Sequence, residues 1–188
     1  PYVAYAVHEH SRTRADVLGR FQRTFANVFA MAFGTLDDAL ATVEWVAGFE
    51  FPDLTIDAEL LALTGDRYPM EGGAIARSDG PAFGVAEFSD HVRETHVPHS
   101  TALHATLDGH QHLTGPLARY ALNHELLSPL AREAAAAAGL GAECRNPFRS
   151  IIVRAVEVVY AVQEALRIIE DYERPARPYL EVEPRPGV

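Results

Sequence analysis

Between residues 11 and 33, Val17, Leu18, Phe21, Phe25, Val28, Phe29 and Ala32 recur at three- and four-residue spacing. This pattern predicts an amphipathic helix, with Ser11 or Thr13 at its cap and Gly34 at its end. A second, shorter helix is expected from about Leu36 to Ala47, with Leu36, Leu40, Val43, Val46 and Ala47 on one side. Thr35 stands at its cap position, Asp37 and Asp38 sit near the positive end of the helix dipole, and Gly48 closes it. From Phe49 to Phe88 the chain is dense in Gly and Pro, which excludes a long helix and favours short strands and turns. Leu60 to Leu63 and Gly73 to Ile75 are the strand candidates, joined by the acidic turn Thr64-Gly65-Asp66. Residues 86–95 are expected to form a brief helix ending near Pro98. Asp108-Gly109, between Thr101–Thr106 and His112–Thr114, predicts a β-hairpin, because both turn positions tolerate positive φ.

Helical patterning returns at Gly115. Pro116 suits a first helical position, where an N–H would have no partner, and that helix should run to about Leu126. Ser128-Pro129 opens another, which passes through Ala134 to Ala138 and stops at Gly139. Asn146-Pro147 starts the longest, expected to persist to about Tyr172 before Pro175 and Pro178. Of the nineteen residues from Ile151 to Ile169, fourteen are apolar, an arc wider than a surface stripe, so this helix should be the core helix. Burial of Arg154 and Glu157 in lipid would cost several kcal/mol, so a membrane span is excluded for it. Arg154, Glu157 and Glu164 fall on one helix face with Ser150 and Ala161, which predicts a paired structural seam within a buried surface.

The fold class that follows is mainly α (α+β), a multi-helical core around one long C-terminal helix with a small β insertion at about 50–115. A single domain over 1–188 is expected, helical over 1–48, mixed strand and turn over 49–114, helical over 115–174 and a Pro-rich tail at 175–188. The 188 residues carry a formal net charge of −10, a field that repels phosphate backbones and anionic lipid, so neither nucleic acid nor a membrane is an expected partner. The acidity is concentrated: residues 36–100 hold thirteen acidic residues against three Arg.

Candidate chemistry is sparse. Five of the nine His (His96, His99, His104, His110, His112) lie within seventeen residues, but no HExxH, no helical i, i+4 pair and no Cys cluster accompanies them. His110 and His112 alternate on the expected strand and read as ordinary hairpin residues. Ser100 follows His99 without a GxSxG elbow, and Gly72-Gly73 and Gly80 to Gly84 lack a phosphate-binding pattern. The one cysteine, Cys144, excludes an internal disulfide and any site built from several thiolates of this chain. No residue is therefore assigned as catalytic, cofactor-binding or metal-binding.

Several segments nevertheless occur in a telling order. Phe49-Glu-Phe-Pro52, Tyr68-Pro-Met-Glu-Gly72, Val97-Pro-His-Ser100 and His99-Ser-Thr-Ala-Leu-His104 are followed by Gly115-Pro-Leu-Ala-Arg119, Asn123, Leu126 to Pro129, and Asn146-Pro-Phe-Arg-Ser150 leading into Val153-Arg-Ala-Val-Glu157. Over about residues 49–186 this resembles the middle region of nickel-iron hydrogenase large (alpha) subunits, closest to the soluble cytoplasmic NAD(P)-linked or sulfhydrogenase type. The resemblance implies hydrogen oxidation and proton reduction at a nickel-iron centre held by two CxxC pairs, which in that family would lie before Pro1 and after Val188. It also implies an iron-sulfur small subunit, a diaphorase module and a cytoplasmic location for the full complex. This chain would then be an internal scaffold fragment, inactive alone and with no cofactor of its own, in which Arg154, Glu157 and Glu164 are candidates for a proton path. Uncovered apolar side chains are expected where the rest of such a subunit would pack. The alternatives are a ligand-less paralogue acting as a scaffold or electron-transfer assembly subunit, and a His-rich metal-binding protein centred on His96 to His112.

Overall fold

A computed structural model describes residues 35–173 and residue 177. The helix expected over 11–33 and almost all of the Pro-rich tail lie outside the described residues. The chain packs as two units, Leu36–Gln163 and a second formed by Pro1–Thr35 with Glu164–Val188.

The first unit has a mainly helical α+β architecture. Residues 35–47 form helix α1. Thr35, the expected cap, is already helical. Strand β1 (Glu59–Thr64) lies at the centre of a three-stranded sheet, antiparallel to β2 (Ala74–Arg77) and parallel to the short β5 (His112–Leu113). The β1–β2 register pairs Leu61 with Arg77 and Leu63 with Ile75. Their connection is longer than the acidic turn read from sequence, and it ends on Gly73 at φ 113°, where a Cβ would lie 2.2 Å from the Thr64 carbonyl oxygen. Only glycine fits there.

Two expectations in this region are corrected. The helix predicted over 86–95 is a 3-10 turn (Val85–Glu87) and one turn of α-helix, α2 (Phe88–His91), after which the chain becomes strand β3 (Val92–Thr95). Val92 is buried and can fill the small β core only from extended backbone that pairs with β4 (His104–Leu107). The hairpin centred on Asp108-Gly109 is reduced to its turn. Asp108 (φ 47°) and Gly109 (φ 86°) adopt the left-handed pair expected there, and Leu107 and His110 exchange two backbone hydrogen bonds of 2.9 Å. The flanking strands then diverge, β4 to β3 and β5 to β1. Leu107, fully buried, is drawn into the core of Leu61, Ile75, Phe83 and Val92. Leu113 packs against the helical core instead, so the two strands flanking the turn follow their apolar residues into different cores.

Helix α3 (Pro116–Asn123) runs into a 3-10 turn ending at Leu126. Helix α4 (Pro129–Ala137) is capped by the Ser128 hydroxyl, which accepts from the Ala131 N–H. Helix α5 (Ser150–Glu170) follows a 3-10 turn capped by Asn146, whose side chain accepts from the Phe148 N–H. Helices α3 and α4 begin at the Pro residues read from the sequence, whereas at Asn146-Pro147 a 3-10 turn begins and α5 itself starts three residues later at Ser150. The larger core gathers Val43 and Val46 of α1, Leu117 and Tyr120 of α3, Ala131 and Ala135 of α4, and Ile152, Val153, Val156 and Val159 of α5. Helix α5 is not covered all round: Ile151, Arg154 and Val158 on its other side are exposed, as are Trp45, Phe49 and Phe148.

In the second unit, the described residues are chiefly the carboxyl end of α5. There Arg167 bridges Glu164 (2.6 Å) and Asp171 (2.7 Å), one turn to either side.

Candidate functional site

The residue from which a site can be built is Glu157. Carboxylates are rarely buried without a charged or hydrogen-bonding partner, and this one, in the middle of α5, is 7% exposed. Its partners come from two other segments. Arg119 of α3 donates from Nε to Oε1 at 2.7 Å and from Nη2 to Oε2 at 2.8 Å, a bidentate fork. The Tyr68 hydroxyl donates to the same Oε1 at 2.6 Å. Tyr68 is itself buried, with its ring 5.1 Å from that of Tyr160. Burial, then the Glu157 charge and the hydrogen bond to it, push the Tyr68 hydroxyl far above the usual phenol range, so it remains a fixed donor. The hydrogen bonds from Arg119 to Glu157 raise the guanidinium further, outweighing its partial desolvation.

Asn123, one turn beyond Arg119 and 2% exposed, ties this network to the sheet. Its Nδ2 donates to the Leu63 carbonyl of β1 (2.9 Å) and to the Arg119 carbonyl (3.0 Å). Its Oδ1 is buried and has no hydrogen-bond partner among the described residues. Helix α3, strand β1, the loop carrying Tyr68 and helix α5 are thus joined through polar atoms inside the helical core. The arrangement is an electrostatic brace: three donors hold the carboxylate, and Tyr68 keeps its proton.

The seam expected on α5 is different. Arg154 is exposed, and Glu157 pairs across the core rather than along its own helix. Glu164 pairs with Arg167 in the second unit. Helical spacing puts Arg154 and Glu157 on neighbouring positions, but a guanidinium on the outer side cannot follow a carboxylate that turns inward. Tyr68, Arg119 and Asn123 each occur in the ordered segments read from the sequence; that Tyr68 and Arg119 converge on one carboxylate, with Asn123 bonded to the Arg119 carbonyl behind them, is visible only in three dimensions.

A second polar cluster holds the β region. Arg77 makes a bidentate pair with Glu59 across β1–β2 (2.5 and 3.0 Å) and reaches Asp108 at 2.7 Å. The His91 Nδ1 lies 3.1 Å from the other Asp108 oxygen. Arg77 first, and His91 second, hold the Asp108 carboxyl below the usual range.

The histidines are dispersed. His96, His99, His104 and His110 are exposed. His112 is half-buried on β5 with its Nδ1 shielded and without a partner among the described residues. Among the described residues His99 and His104 contact each other ring to ring, at 5.4 Å between centres, while His91 lies against Phe83 (4.3 Å) and His124 against Tyr120 (5.3 Å). Ser100 bonds to the Ala102 backbone rather than to a base. Cys144 is buried, its Sγ 3.8 Å from the Asn146 carbonyl oxygen. Its neighbour Tyr120 donates to the Gly141 carbonyl (2.7 Å), and burial pushes its hydroxyl up to about 12. Among the described residues no three His, Cys, Asp or Glu side chains converge on a common point, and no helix is long and apolar enough to cross a membrane.

The chain is similar to two known kinds of protein. Residues 1–49 match the catalytic-domain model of the ER-bound oxygenase mpaB/B'/Rubber oxygenase family, a match confined to about a quarter of the chain and largely outside the described residues. The chain is also 31% identical over 125 residues to the Sulfhydrogenase 1 subunit alpha of Pyrococcus furiosus, a similarity that takes in 65% of this chain and 29% of that subunit. The chain therefore spans less than a third of the length of the curated relative it matches, and its similarity is to a hydrogenase alpha subunit at a distance.

Proposed function

We propose that this chain is an internal scaffold segment of a nickel-dependent hydrogenase large subunit, shaping the protein around a metal centre whose ligands lie on other parts of the polypeptide. The observation that carries this reading is the 31% identity over 125 residues to a sulfhydrogenase alpha subunit. The brace adds support, because Tyr68, Arg119, Asn123 and Glu157 come from separate hydrogenase-like segments and meet at one buried point. The residues of this chain do not fit a nickel-iron centre. Such a soft site calls for several thiolates, and Cys144 is one buried sulfur. In this reading the chain alone neither oxidises hydrogen nor reduces protons, and the whole subunit works in the cytoplasm beside an iron-sulfur small subunit and a diaphorase module.

Sequencing the DNA on either side of this segment tests the proposal. One CxxC pair is expected upstream and one downstream; their absence from both flanks would favour the ligand-less paralogue. Hydrogen-driven dye reduction by the isolated chain would overturn it. In the full-length enzyme, Glu157→Gln is expected to lower the yield of assembled subunit while leaving turnover per nickel unchanged. A normal yield with a collapsed turnover would make Glu157 a proton relay instead.

A further inference from the structure

We propose that a second copy of this chain docks on an apolar face that has an acidic half and a cationic half, in a two-fold pair that does not rest on the hydrogenase reading. Five large apolar side chains of the Leu36–Gln163 unit, Trp45, Phe49, Phe148, Ile151 and Val158, are each 44–66% exposed. A lone exposed apolar residue is ordinary, whereas a contiguous group marks a contact surface. Trp45 is the one tryptophan of the chain and the most uncovered of the five.

Local structure joins them. Trp45, near the carboxyl end of α1, meets the Phe49 ring edge-on at 5.2 Å between centres, and Phe49 meets Phe51 at 6.3 Å. The chain then passes Pro52, whose carbonyl accepts from Asn146 Nδ2 (2.8 Å), while the Asn146 side-chain oxygen accepts from the Phe148 N–H (3.0 Å). One asparagine therefore brings the aromatic row up against the start of α5, where Ile151, Arg154 and Val158 follow at helical spacing on its exposed side.

The two halves differ in charge. Glu44, Glu50 and Asp53 border the aromatic row, and Arg154 stands between Ile151 and Val158; all four are exposed, and none is in an ion pair among the described residues. A face of one sign would call for a partner of the other sign. This one carries both, so a two-fold axis at the Asn146 junction sets each half against the opposite half of the other copy. Arg154 of one copy then has the Trp45 indole of the other to stack on and Glu44 and Glu50 to pair with. Since the acids outnumber the arginine and the chain carries a net charge of −10, apolar contact supplies the attraction and the charges set the orientation. The face is at the small end for a specific interface, so the pair exchanges with monomer.

The test is sedimentation velocity of the tag-free 188-residue chain over a rising concentration series at physiological salt. A monomer–dimer equilibrium is expected, with Trp45 emission moving to shorter wavelength as the dimer fills. Arg154→Glu and Trp45→Ala are each expected to weaken association tenfold or more with circular dichroism unchanged, because both side chains are exposed. The Glu44→Arg/Glu50→Arg double variant should dissociate likewise, and mixing it with Arg154→Glu should restore a dimer, since both contacts of the mixed pair again join unlike charges. Monomer at every concentration would overturn the pairing and leave the face to another polypeptide. A dimer indifferent to Arg154→Glu, or charge-reversed variants that do not pair with each other, would overturn it as well. None of these outcomes bears on the flanking CxxC pairs, so the hydrogenase reading stands or falls separately.

Discussion

The helical core and the β region of the Leu36–Gln163 unit are held together by opposite uses of charge. In the helical core a single carboxylate, Glu157, is taken out of water and accepts three hydrogen bonds from Arg119 and Tyr68, with a large apolar shell around it. In the β region the apolar core is small (Leu61, Ile75, Phe83, Val92 and Leu107), and the ion-pair network of Arg77, Glu59, Asp108 and His91 lies at its margin, open to solvent in part. A buried pair is costly to break because the survivor stays desolvated, whereas a partly exposed pair can be replaced by water. The first arrangement specifies how helices and sheet meet; the second fixes a turn.

The largest effect should come from the brace. Glu157→Ala leaves the Arg119 guanidinium and the Tyr68 hydroxyl without their acceptor and is expected to lower the unfolding free energy in urea by about 3–5 kcal/mol. A loss under about 1 kcal/mol would mean that water replaces the carboxylate easily and that the two regions do not differ as described. The comparison sharpens if Arg119 and Glu157 are together replaced by apolar residues of similar volume: the double variant should recover much of the loss, since two desolvation costs disappear with the pair.

Next in size is Leu107→Ala. Leu107 is fully buried at the centre of the β core, and its truncation should cost about 2–4 kcal/mol by the same measurement, less if the small core collapses around the cavity. Gly109→Ala is expected to cost about 1 kcal/mol, because φ is 86° there and alanine resists it although nothing lies within 4 Å of the added methyl. Retention of full stability would show that the turn relaxes once the strands beside it have diverged.

The smallest effects are those of pH. Asp108 is held below the usual carboxyl range, so its contribution is complete above the unfolded-state value of about 4 and is lost as pH falls through the depressed folded value. Asp108→Asn should lower the neutral plateau slightly and flatten the acid limb to the same extent, leaving stability at low pH nearly unchanged. Tyr68 and Tyr120 behave in the opposite sense. Their hydroxyls are raised, so their contribution is intact below about pH 10 and declines as pH climbs toward the folded values. Tyr120→Phe should therefore make the decline above pH 10 shallower, and an unchanged alkaline limb would argue that its hydroxyl is freely hydrated.

Elements governed by local signals were legible from the chain. Ser128-Pro129 and Asn146-Pro147 fix helix starts through side-chain acceptors that satisfy the first N–H groups, and both caps form as read. The Asp108-Gly109 turn also formed, since positive φ is a property of those two residues. What followed the turn was not legible, because either partner suits a short β-prone run, and which one it takes depends on the core that its apolar residues reach. The same holds for residues 92–95, where helical spacing was outweighed by burial of Val92 in the β core.

For the candidate site the division is sharper. The sequence alone determined a mainly helical chain with a long apolar helix near its carboxyl end, too few thiolates for a soft metal cluster, and an ordered set of hydrogenase-like segments. Tertiary structure decided that Glu157 turns away from Arg154 toward Arg119 and Tyr68, and that His99 meets His104 while His110 and His112 separate. The physical reason is range. Helix caps and turns are set by atoms a few residues apart, whereas the partners of a buried charge are chosen when distant segments pack and water leaves between them.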